Sequence, residues 1–478
     1  MQTELPPLRP RVSEWMQQLC QNPAALDKLL TTYGSPVNLH HTPPFVENIR
    51  EIETLLDGYG IPHLVQFARK ANKCKEFVYA AQSHGCGVDT ASEQELKECI
   101  DAGVNTDRLI LTAAIKTSSM LETAVKNHVV VVVDNEDEVR LLAQVAEHTG
   151  CPARMAVRVS GFHTPEGNLY SRFGFDVDQV PRLLGSLNGH KHGVPLEYCG
   201  LHFHLNGYST TQRAIALLHC LDLAAELESL GFHTSFIDMG GGMLTNYLED
   251  EEEWLTFQSE LKKAVLGERE PITFGNNGLG FFLLEGRVHG ELETYPYFNT
   301  TPGKMFLKRI LDYKNPGEDS VGRKIADSGI QLRLEPGRCL LDQCGFTLAR
   351  VAFRKKDSRG DWLVGLEMNM TQLHSSSADF LLDPMLISKT PATSTPDPVG
   401  VYFTGAYCLE RDVVLKRKIP LPTLPQVGDR VAFFNTAGYM MHFFESQAHL
   451  FDLAANVIVK SLPPAPEAYR DGSRSRNQ

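Results

Sequence analysis

Charged and reactive side chains lie in or directly after a series of short apolar runs in this 478-residue chain. Lys70 follows one run, Asp89 and Arg158 lie within two others, and Glu335 follows the last one. A lysine amine can capture an aldehyde as a Schiff base, and a carboxylate can hold a proton on a heterocyclic nitrogen. These residue types predict chemistry on an aldehyde attached to a nitrogen heterocycle, provided that the fold brings them together.

A glycine-rich turn supplies a candidate anion site for the same chemistry. Three consecutive glycines follow the run Phe236–Met239, and Arg338 follows Gly337. Backbone N–H groups at such a turn are expected to be free to approach an anion, and arginine can clamp a phosphate with two hydrogen bonds. An aldehyde, a phosphate and a pyridine nitrogen together describe pyridoxal 5′-phosphate. The glycines are Gly240, Gly241 and Gly242.

Eight β-rich apolar runs alternate with helical segments, and this order indicates where the reactive groups lie. Repeated βα units of this kind predict a closed (β/α)8 barrel. The active-site residues of such a barrel lie at the carboxyl ends of its strands, so residues far apart in the sequence become neighbours. The runs are Leu64–Arg69, Cys86–Ala91, Arg108–Ala113, Val129–Val133, Met155–Val159, Gly200–Leu205, Phe236–Met239 and Ile330–Leu334.

Two histidines in the sixth run leave a second interpretation open. His202 and His204 share one face of a strand, because side chains alternate between its two faces. They could pack in the core or bind a metal ion. A metal site would need further ligands and would leave the sequence Glu335-Pro-Gly-Arg338 without a role, so no metal site is predicted.

Composition excludes several classes of protein. Hydrophobic residues make up 42% and charged residues 22% of the chain, and no apolar run reaches the roughly 18 residues that a membrane-spanning helix needs. The net charge is −12, and basic residues do not cluster with aromatic ones. The amino terminus lacks a secretory pattern, and no Cys-x-x-Cys pair occurs. We therefore expect a cytoplasmic protein with neither a membrane nor a nucleic-acid partner.

Changes in the residue pattern along the chain predict its domains. Strand-like pieces with turn signals follow the last barrel run and indicate an antiparallel β domain. The expected divisions are an N-terminal segment 1–42 packing with the β domain, a barrel over 43–345 with a long loop at 244–328, the β domain over 346–462, and a disordered tail at 463–478.

Motifs along the chain occur together, and in this order, in a known family. They are Phe67-Ala-Arg-Lys-Ala-Asn72, Gly87-Val-Asp-Thr-Ala-Ser92, Arg158, Arg172-Phe-Gly-Phe175, Gly200-Leu-His-Phe-His204, Ile237-Asp-Met-Gly-Gly-Gly242, Leu334-Glu-Pro-Gly-Arg338, Cys408 with Asp412, and Ala437-Gly-Tyr439. In these motifs the sequence resembles the fold-type III pyridoxal-phosphate-dependent decarboxylases. That group includes ornithine, arginine and diaminopimelate decarboxylases and shares its barrel with alanine racemase.

The resemblance implies a role for each matching residue. Lys70 would hold the cofactor as a Schiff base, with Asp89 and Arg158 organising that side, while His204 would stack on the pyridine ring and Glu335 would pair with its nitrogen. The phosphate end would be formed by Gly240, Gly241, Gly242, Gly337, Arg338 and Tyr439. Cys408 and Asp412 would reach the active site of the other subunit in a head-to-tail homodimer. Cys408 would donate the proton after carbon dioxide leaves.

Departures from the family pattern affect the substrate side. Leu409 stands directly after Cys408, where the family usually has an acidic residue. An Asp-x-Gly element is replaced by Glu367-Met-Asn369, and Leu205-Asn206-Gly207 replaces a phosphate-facing Gly-Ser. We therefore expect an amino-acid substrate other than ornithine, lysine or diaminopimelate. Its recognition would involve Glu367, Glu410 or the 244–328 loop.

Three functions are consistent with these residues. The favoured one is decarboxylation of an amino acid to the amine. Racemisation on the same cofactor would need a base on each face of Cα, for which Lys70 with Cys408 or Tyr439 is available. A non-catalytic paralogue that binds a partner would have no need to keep Lys70, His204, Glu335, Arg338 and Cys408.

Overall fold

The computed structural model describes residues 4–165, 167–187, 196–375, 378–389, 397–462, 464 and 466–473. Within these residues the chain forms a parallel barrel and a separate mixed β-sheet. None of the described helices is both long and apolar enough to cross a membrane.

Eight parallel strands among the described residues close the predicted barrel. Their order around the barrel follows the sequence, and pairing of the fifth strand with the sixth completes the ring. Valine-rich strands such as Val130–Val133 are buried along their whole length, as expected for strands covered on both faces. The strands, labelled β1 to β8, are His63–Ala68, Gly87–Thr90, Leu109–Leu111, Val130–Val133, Ala153–Ser160, Leu196–His202, Phe236–Asp238 and Gln331–Leu334.

Helices between the strands begin and end where local sequence signals predict. The Ser92 side chain accepts a hydrogen bond from the Glu95 amide and caps one helix, and Gly150 ends another in the left-handed conformation. Their apolar faces pack on the barrel strands in one continuous core. The helices over this part are Pro43–Tyr59, Lys75–Ser83, Glu93–Asp101, Ser118–Lys126, Glu136–Thr149, Val180–Leu187, Thr210–Ser229, Glu251–Leu266, Lys304–Asp312 and Val321–Ser328.

The second sheet is mixed, which corrects the expectation of an antiparallel β domain. Most neighbouring strands are antiparallel, but Val37–His40 pairs in parallel with Ala455–Val459, and Trp362–Leu366 pairs in parallel with Val399–Thr404. The first parallel pair arises because the N-terminal segment inserts into this sheet. Its strands are Val37–His40, Gly345–Lys356, Trp362–Leu366, Met385–Ile387, Val399–Thr404, Ile419–Leu421, Arg430–Phe434, Ala455–Val459 and Ala468–Arg470.

Both ends of the chain contribute to this sheet. The N-terminal helices Glu14–Cys20 and Pro23–Tyr33 pack against it in a separate apolar cluster. The segment 463–478 was expected to be disordered, but Ala468–Arg470 pairs with Ala455–Val459. Asp471 then accepts hydrogen bonds from the first amides of helix Lys75–Ser83. Edge pairing and helix capping therefore order the described part of the segment; residues 463, 465 and 474–478 lie outside the described residues.

The segment 244–328 is more regular than the predicted long loop. It contains the helices Glu251–Leu266, Lys304–Asp312 and Val321–Ser328, together with a hairpin of Phe282–Leu284 and Arg287–His289. Two buried tyrosines of this segment, Tyr247 and Tyr295, lie beside Arg338 at the carboxyl end of the barrel.

Candidate active site

Lys70 lies at the carboxyl end of β1, two residues after the last strand residue, Ala68. Its Nζ is 2.6 Å from Oδ2 of Asp89, which lies in β2. The other oxygen of Asp89 accepts a hydrogen bond from the Thr112 hydroxyl, just after β3. Three neighbouring strand ends therefore build one hydrogen-bonded chain that holds the lysine amine in place.

Charge and burial act against each other at this pair. Burial alone would lower the pKa of the Lys70 ammonium, but the negative charges of Asp89 and Glu335 outweigh it, and the pKa lies above its ordinary value. Burial raises the pKa of Asp89, with a further contribution from Glu335, while the Lys70 charge opposes the rise. The ammonium is thus stabilised beside a carboxylate that can take its proton.

His204 follows β6 and is held by the glycine turn after β7. The amide of Gly241 donates to His204 Nδ1 across 3.2 Å, which leaves the proton of the neutral ring on Nε2. Burial, with the nearby positive charge of Lys70, holds the pKa of His204 well below its usual range. The ring is therefore uncharged.

Glu335 lies after β8 in a buried cluster of titratable groups. A ring nitrogen of His202 and carboxylate oxygens of Asp238 and Glu335 all lie within 4.8 Å of one another. His202 Nε2 is 3.2 Å from Glu335 Oε1, although the angles are not those of a hydrogen bond. Burial raises the pKa of Glu335 and raises that of Asp238 well above its usual range. Within the described residues, Glu335 Oε1 is a buried acceptor with no protein donor.

The glycine turn after β7 has no space for side chains. A Cβ on Gly240 would lie 2.6 Å from His204 Nδ1, and one on Gly241 would lie 2.5 Å from the Glu335 carbonyl oxygen. Two of the three amides of this turn are used within the protein: Gly240 donates to Asp238 Oδ1 and Gly241 donates to His204. In the part of the chain that the structure describes, only the Gly242 amide of this turn lacks a protein acceptor.

Replacing Gly241 with alanine tests the packing of this turn. We expect Gly241→Ala to lower the free energy of unfolding by about 1–3 kcal/mol, because the new methyl group must displace backbone. Gly58→Ala is the matched control, since a Cβ there meets nothing within 4 Å and the position is helical. Urea denaturation followed by circular dichroism measures both variants. Equal stability of the two would contradict the described packing.

Arg338 and Tyr439 lie together at the side of the site where the β domain meets the barrel. Arg338 donates to the Gly438 carbonyl across 3.3 Å, and its guanidinium carbon lies 4.3 Å from the centre of the Tyr295 ring and 5.1 Å from that of Tyr439. A Cβ on Gly337 would lie 2.6 Å from the Tyr439 hydroxyl. The Tyr439 amide donates to the Ala71 carbonyl, one residue beyond Lys70.

Arg158 extends from β5 toward the same end of the barrel. Its Nη1 lies 3.7 Å from Asp134 Oδ1, and its guanidinium packs 4.1 Å from the centre of the Phe173 ring. Burial lowers the pKa of Arg158, and Asp134 and Glu335 oppose that shift. All the predicted barrel residues, from Lys70 to Arg338, therefore lie at or just beyond the carboxyl ends of the strands.

Comparison with known proteins identifies the family. The profile described as "Pyridoxal-dependent decarboxylase, pyridoxal binding domain" matches residues 45–272. The uncharacterized protein y4yA of Sinorhizobium fredii is 30% identical over 430 residues, which cover 89% of this chain and 88% of that protein. The diaminopimelate decarboxylase of Archaeoglobus fulgidus is 26% identical over 85% of this chain and 83% of its own length. The chain belongs to the fold-type III pyridoxal-dependent decarboxylase family.

Solved structures of this decarboxylase family share the fold. The diaminopimelate decarboxylase of Helicobacter pylori, complexed with L-lysine, superposes with a TM-score of 0.67 at 18% identity and covers 93% of this chain and 96% of that one. The lysine/ornithine decarboxylase of Vibrio vulnificus, complexed with putrescine, superposes with a TM-score of 0.67 at 16% identity. The match covers 94% of this chain and 99% of that one. The predicted barrel with a β domain is thus confirmed, and the present chain is a divergent decarboxylase relative.

Two residues expected to serve the decarboxylase site from the β domain differ in accessibility. Cys408 is exposed. Asp412 is buried, and its two oxygens accept hydrogen bonds from the amides of Met370 and Tyr407 at 2.8 Å and 2.7 Å. One oxygen of Asp412 therefore fixes the turn that presents Cys408, and the other joins this turn to the segment at Met370. The expected substrate contact of this carboxylate stays a prediction.

The other acidic candidates lie on the surface of the β domain. Glu367 pairs with Arg350 at 3.2 Å and its carbonyl accepts from the Ser35 hydroxyl. Glu410 is exposed beside Cys408. Their expected roles in substrate recognition stay predictions.

Several residues of the site were missed in the sequence. Thr112 directly follows β3, so the strand-end rule could have included it. Tyr247, which is hydrogen-bonded to Arg338, and Tyr295 lie in the 244–328 segment. No sequence pattern connects that segment with Arg338.

Proposed function

We propose that the protein is a pyridoxal 5′-phosphate-dependent amino-acid decarboxylase. The observation that carries the proposal is the meeting of Lys70, Asp89 and the buried Glu335 at one end of the barrel, in a chain of this family. An amine, its proton acceptor and a carboxylate for a heterocyclic nitrogen are the groups that this chemistry needs.

The residues present fit the cofactor. Glu335 Oε1 is buried and has no protein donor within the described residues, so it can accept a hydrogen bond from a protonated ring nitrogen. The Gly242 amide supplies a donor at the glycine turn, where side chains have no space, and Arg338 supplies a buried cation after β8. The neutral His204 ring offers a flat surface without a positive charge that would oppose protonation of the pyridine.

Each residue would contribute a separate step. When bound, pyridoxal 5′-phosphate withdraws electrons from the Cα of an attached amino acid. Asp89 would accept the proton that Lys70 must lose before its amine becomes nucleophilic, over the observed 2.6 Å. Glu335 would hold a proton at the ring nitrogen, and His204 would hold the ring in orientation.

Cys408 would protonate Cα after carbon dioxide leaves. Its side chain is exposed on the β domain, on a turn fixed by Asp412. This exposure supports a homodimer in which Cys408 enters the active site of the partner subunit.

The proposed substrate is an amino acid other than a standard diamino acid. Leu409, the residue after Cys408, has 45% of its surface exposed and would present an apolar group where a distal ammonium needs an acid. Glu367 is already paired with Arg350. These two positions disfavour lysine, ornithine and diaminopimelate.

A substrate panel tests the reaction type. Purified protein is loaded with the cofactor and given L- and D-amino acids while carbon dioxide release and solvent deuterium exchange at Cα are followed. We expect release of carbon dioxide, with one deuterium in the amine product, from an amino acid that lacks a distal charge.

Two results would contradict this function. Deuterium exchange into an amino acid that keeps its carboxylate would indicate a racemase. Failure of the protein to bind the cofactor covalently would indicate a non-catalytic binding protein.

A further inference from the structure

Arg213 is a fully buried guanidinium in the first turn of helix Thr210–Ser229. It donates to backbone carbonyls only: Leu205 at 3.2 Å, Gly207 at 2.9 Å and Ser209 at 3.2 Å. In the described part of the chain no carboxylate lies within 4.0 Å of it, and its Nε has no acceptor. Burying a charge without a counter-charge is costly, so this arrangement calls for an anion.

The guanidinium lies against the glycine turn. Its Nη2 would be 2.4 Å from a Cβ on Gly242, and the φ of +82° at Gly242 is one that favours glycine. The carbonyls that it binds belong to the loop Leu205–Ser209, which follows His204. Arg213 thus binds this loop and lies beside Gly242, whose amide is the one in the turn without a protein acceptor among the described residues.

The Tyr208 phenol interacts electrostatically with both Arg213 and Arg338. Burial raises the pKa of the Tyr208 phenol, and the charges of both Arg338 and Arg213 oppose the rise. The Tyr208 ring lies 5.7 Å from that of Tyr295, on which Arg338 packs. The two guanidinium groups therefore belong to one region of positive potential around the end of the turn.

We propose that Arg213 is a positioning residue for the phosphate group of the cofactor. It holds the Leu205–Ser209 loop against Gly242, and the phosphate supplies the negative charge that the buried guanidinium lacks. The loop after His204 has the sequence Leu205-Asn206-Gly207 and therefore lacks a serine hydroxyl next to His204. Because few hydrogen-bond donors are then available to the phosphate, a second cation would strengthen its binding. This inference rests on the proposed function, because it assumes that pyridoxal 5′-phosphate is the ligand.

The test compares two ligands that differ only in the phosphate. Dissociation constants of pyridoxal 5′-phosphate and of pyridoxal are measured by absorbance titration for the wild type and Arg213→Gln. We expect Arg213→Gln to weaken the phosphorylated ligand about tenfold and to leave pyridoxal unchanged, because the variant loses one buried positive charge beside Gly242. Inorganic phosphate should likewise protect the apoprotein from thermal unfolding less well in the variant.

Arg333→Gln is the matched control. Arg333 is also buried, and its pKa is likewise lowered to about 10 by burial, but it packs on Phe236 at 3.7 Å instead of on the glycine turn. It should keep the wild-type preference for the phosphorylated ligand. Burial lowers the pKa of Arg213 to about 10 as well, so the pair is alike in that respect.

Arg213→Lys decides the question if Arg213→Gln does not fold. Lysine keeps the charge at moderate pH, so the preference for pyridoxal 5′-phosphate over pyridoxal should persist there and fall at higher pH relative to the wild type.

An unchanged ratio of the two dissociation constants in Arg213→Gln, or a pH-independent ratio in Arg213→Lys, would overturn the inference and leave Arg213 as a structural residue. Absence of covalent cofactor in the wild type would instead contradict the proposed function.

Discussion

Lys70→Ala should abolish covalent cofactor attachment and lower decarboxylation by on the order of a thousandfold or more. The reason is that the Lys70 amine is the group held at this end of the barrel beside a proton acceptor, 2.6 Å from Asp89. Alanine leaves Asp89 buried without its cation, but the Thr112 hydroxyl still donates to that carboxylate. The visible absorption band of the cofactor-lysine linkage and steady-state carbon dioxide release measure the two effects.

Lys73→Ala is the control for Lys70→Ala. Lys73 is exposed and lies three residues further along, where its backbone amide, not its side chain, bonds to His442. This variant should keep both the absorption band and the activity. A Lys70→Ala protein that still forms the linkage would show that another lysine holds the cofactor.

Mixing two inactive variants should restore activity if the active site is shared between subunits. Cys408→Ala alone should lose on the order of a hundredfold in rate, because the carbanion then lacks its proton donor. In a statistical mixture with Lys70→Ala, half of the dimers are mixed and each has one complete site. About one quarter of the wild-type activity should then return.

The control for this experiment is a double variant. A chain that carries both Lys70→Ala and Cys408→Ala is mixed with the wild type. The mixture should show no more activity than its wild-type protein gives alone. No recovery on mixing the single variants, with exchange of subunits verified by mass spectrometry, would mean that Cys408 acts within its own subunit or does not act at all.

Much of the site was predictable because of the simple geometry of a parallel barrel. Each of the residues expected in the site lies in the second half of an apolar run or directly after one: Lys70, Asp89, Arg158, His204 and Glu335. In a closed parallel barrel, every strand brings its carboxyl end to the same side. The order of the runs was therefore sufficient to predict which residues meet, although not their hydrogen-bond partners.

The same reasoning failed where partners come from outside the strands. The free amides expected at Gly240 and Gly241 are used by Asp238 and His204, because the turn folds back on its own barrel. Asp412 fits the family motif in sequence, yet both its oxygens are occupied by backbone amides. Such contacts depend on approach distances between segments, and a linear pattern does not contain those distances.

The sequence by itself determined the fold class of this protein and predicted its cofactor chemistry and reactive residues, because strand periodicity and residue type are local properties. Only the tertiary structure decided three further features. They are the mixed β-sheet, formed when Val37–His40 inserts beside Ala455–Val459, the tyrosines around Arg338, and the burial of Arg213 against Gly242. Each depends on long-range packing, in which the energy of a charged or polar group is set by neighbours that the chain supplies from distant positions.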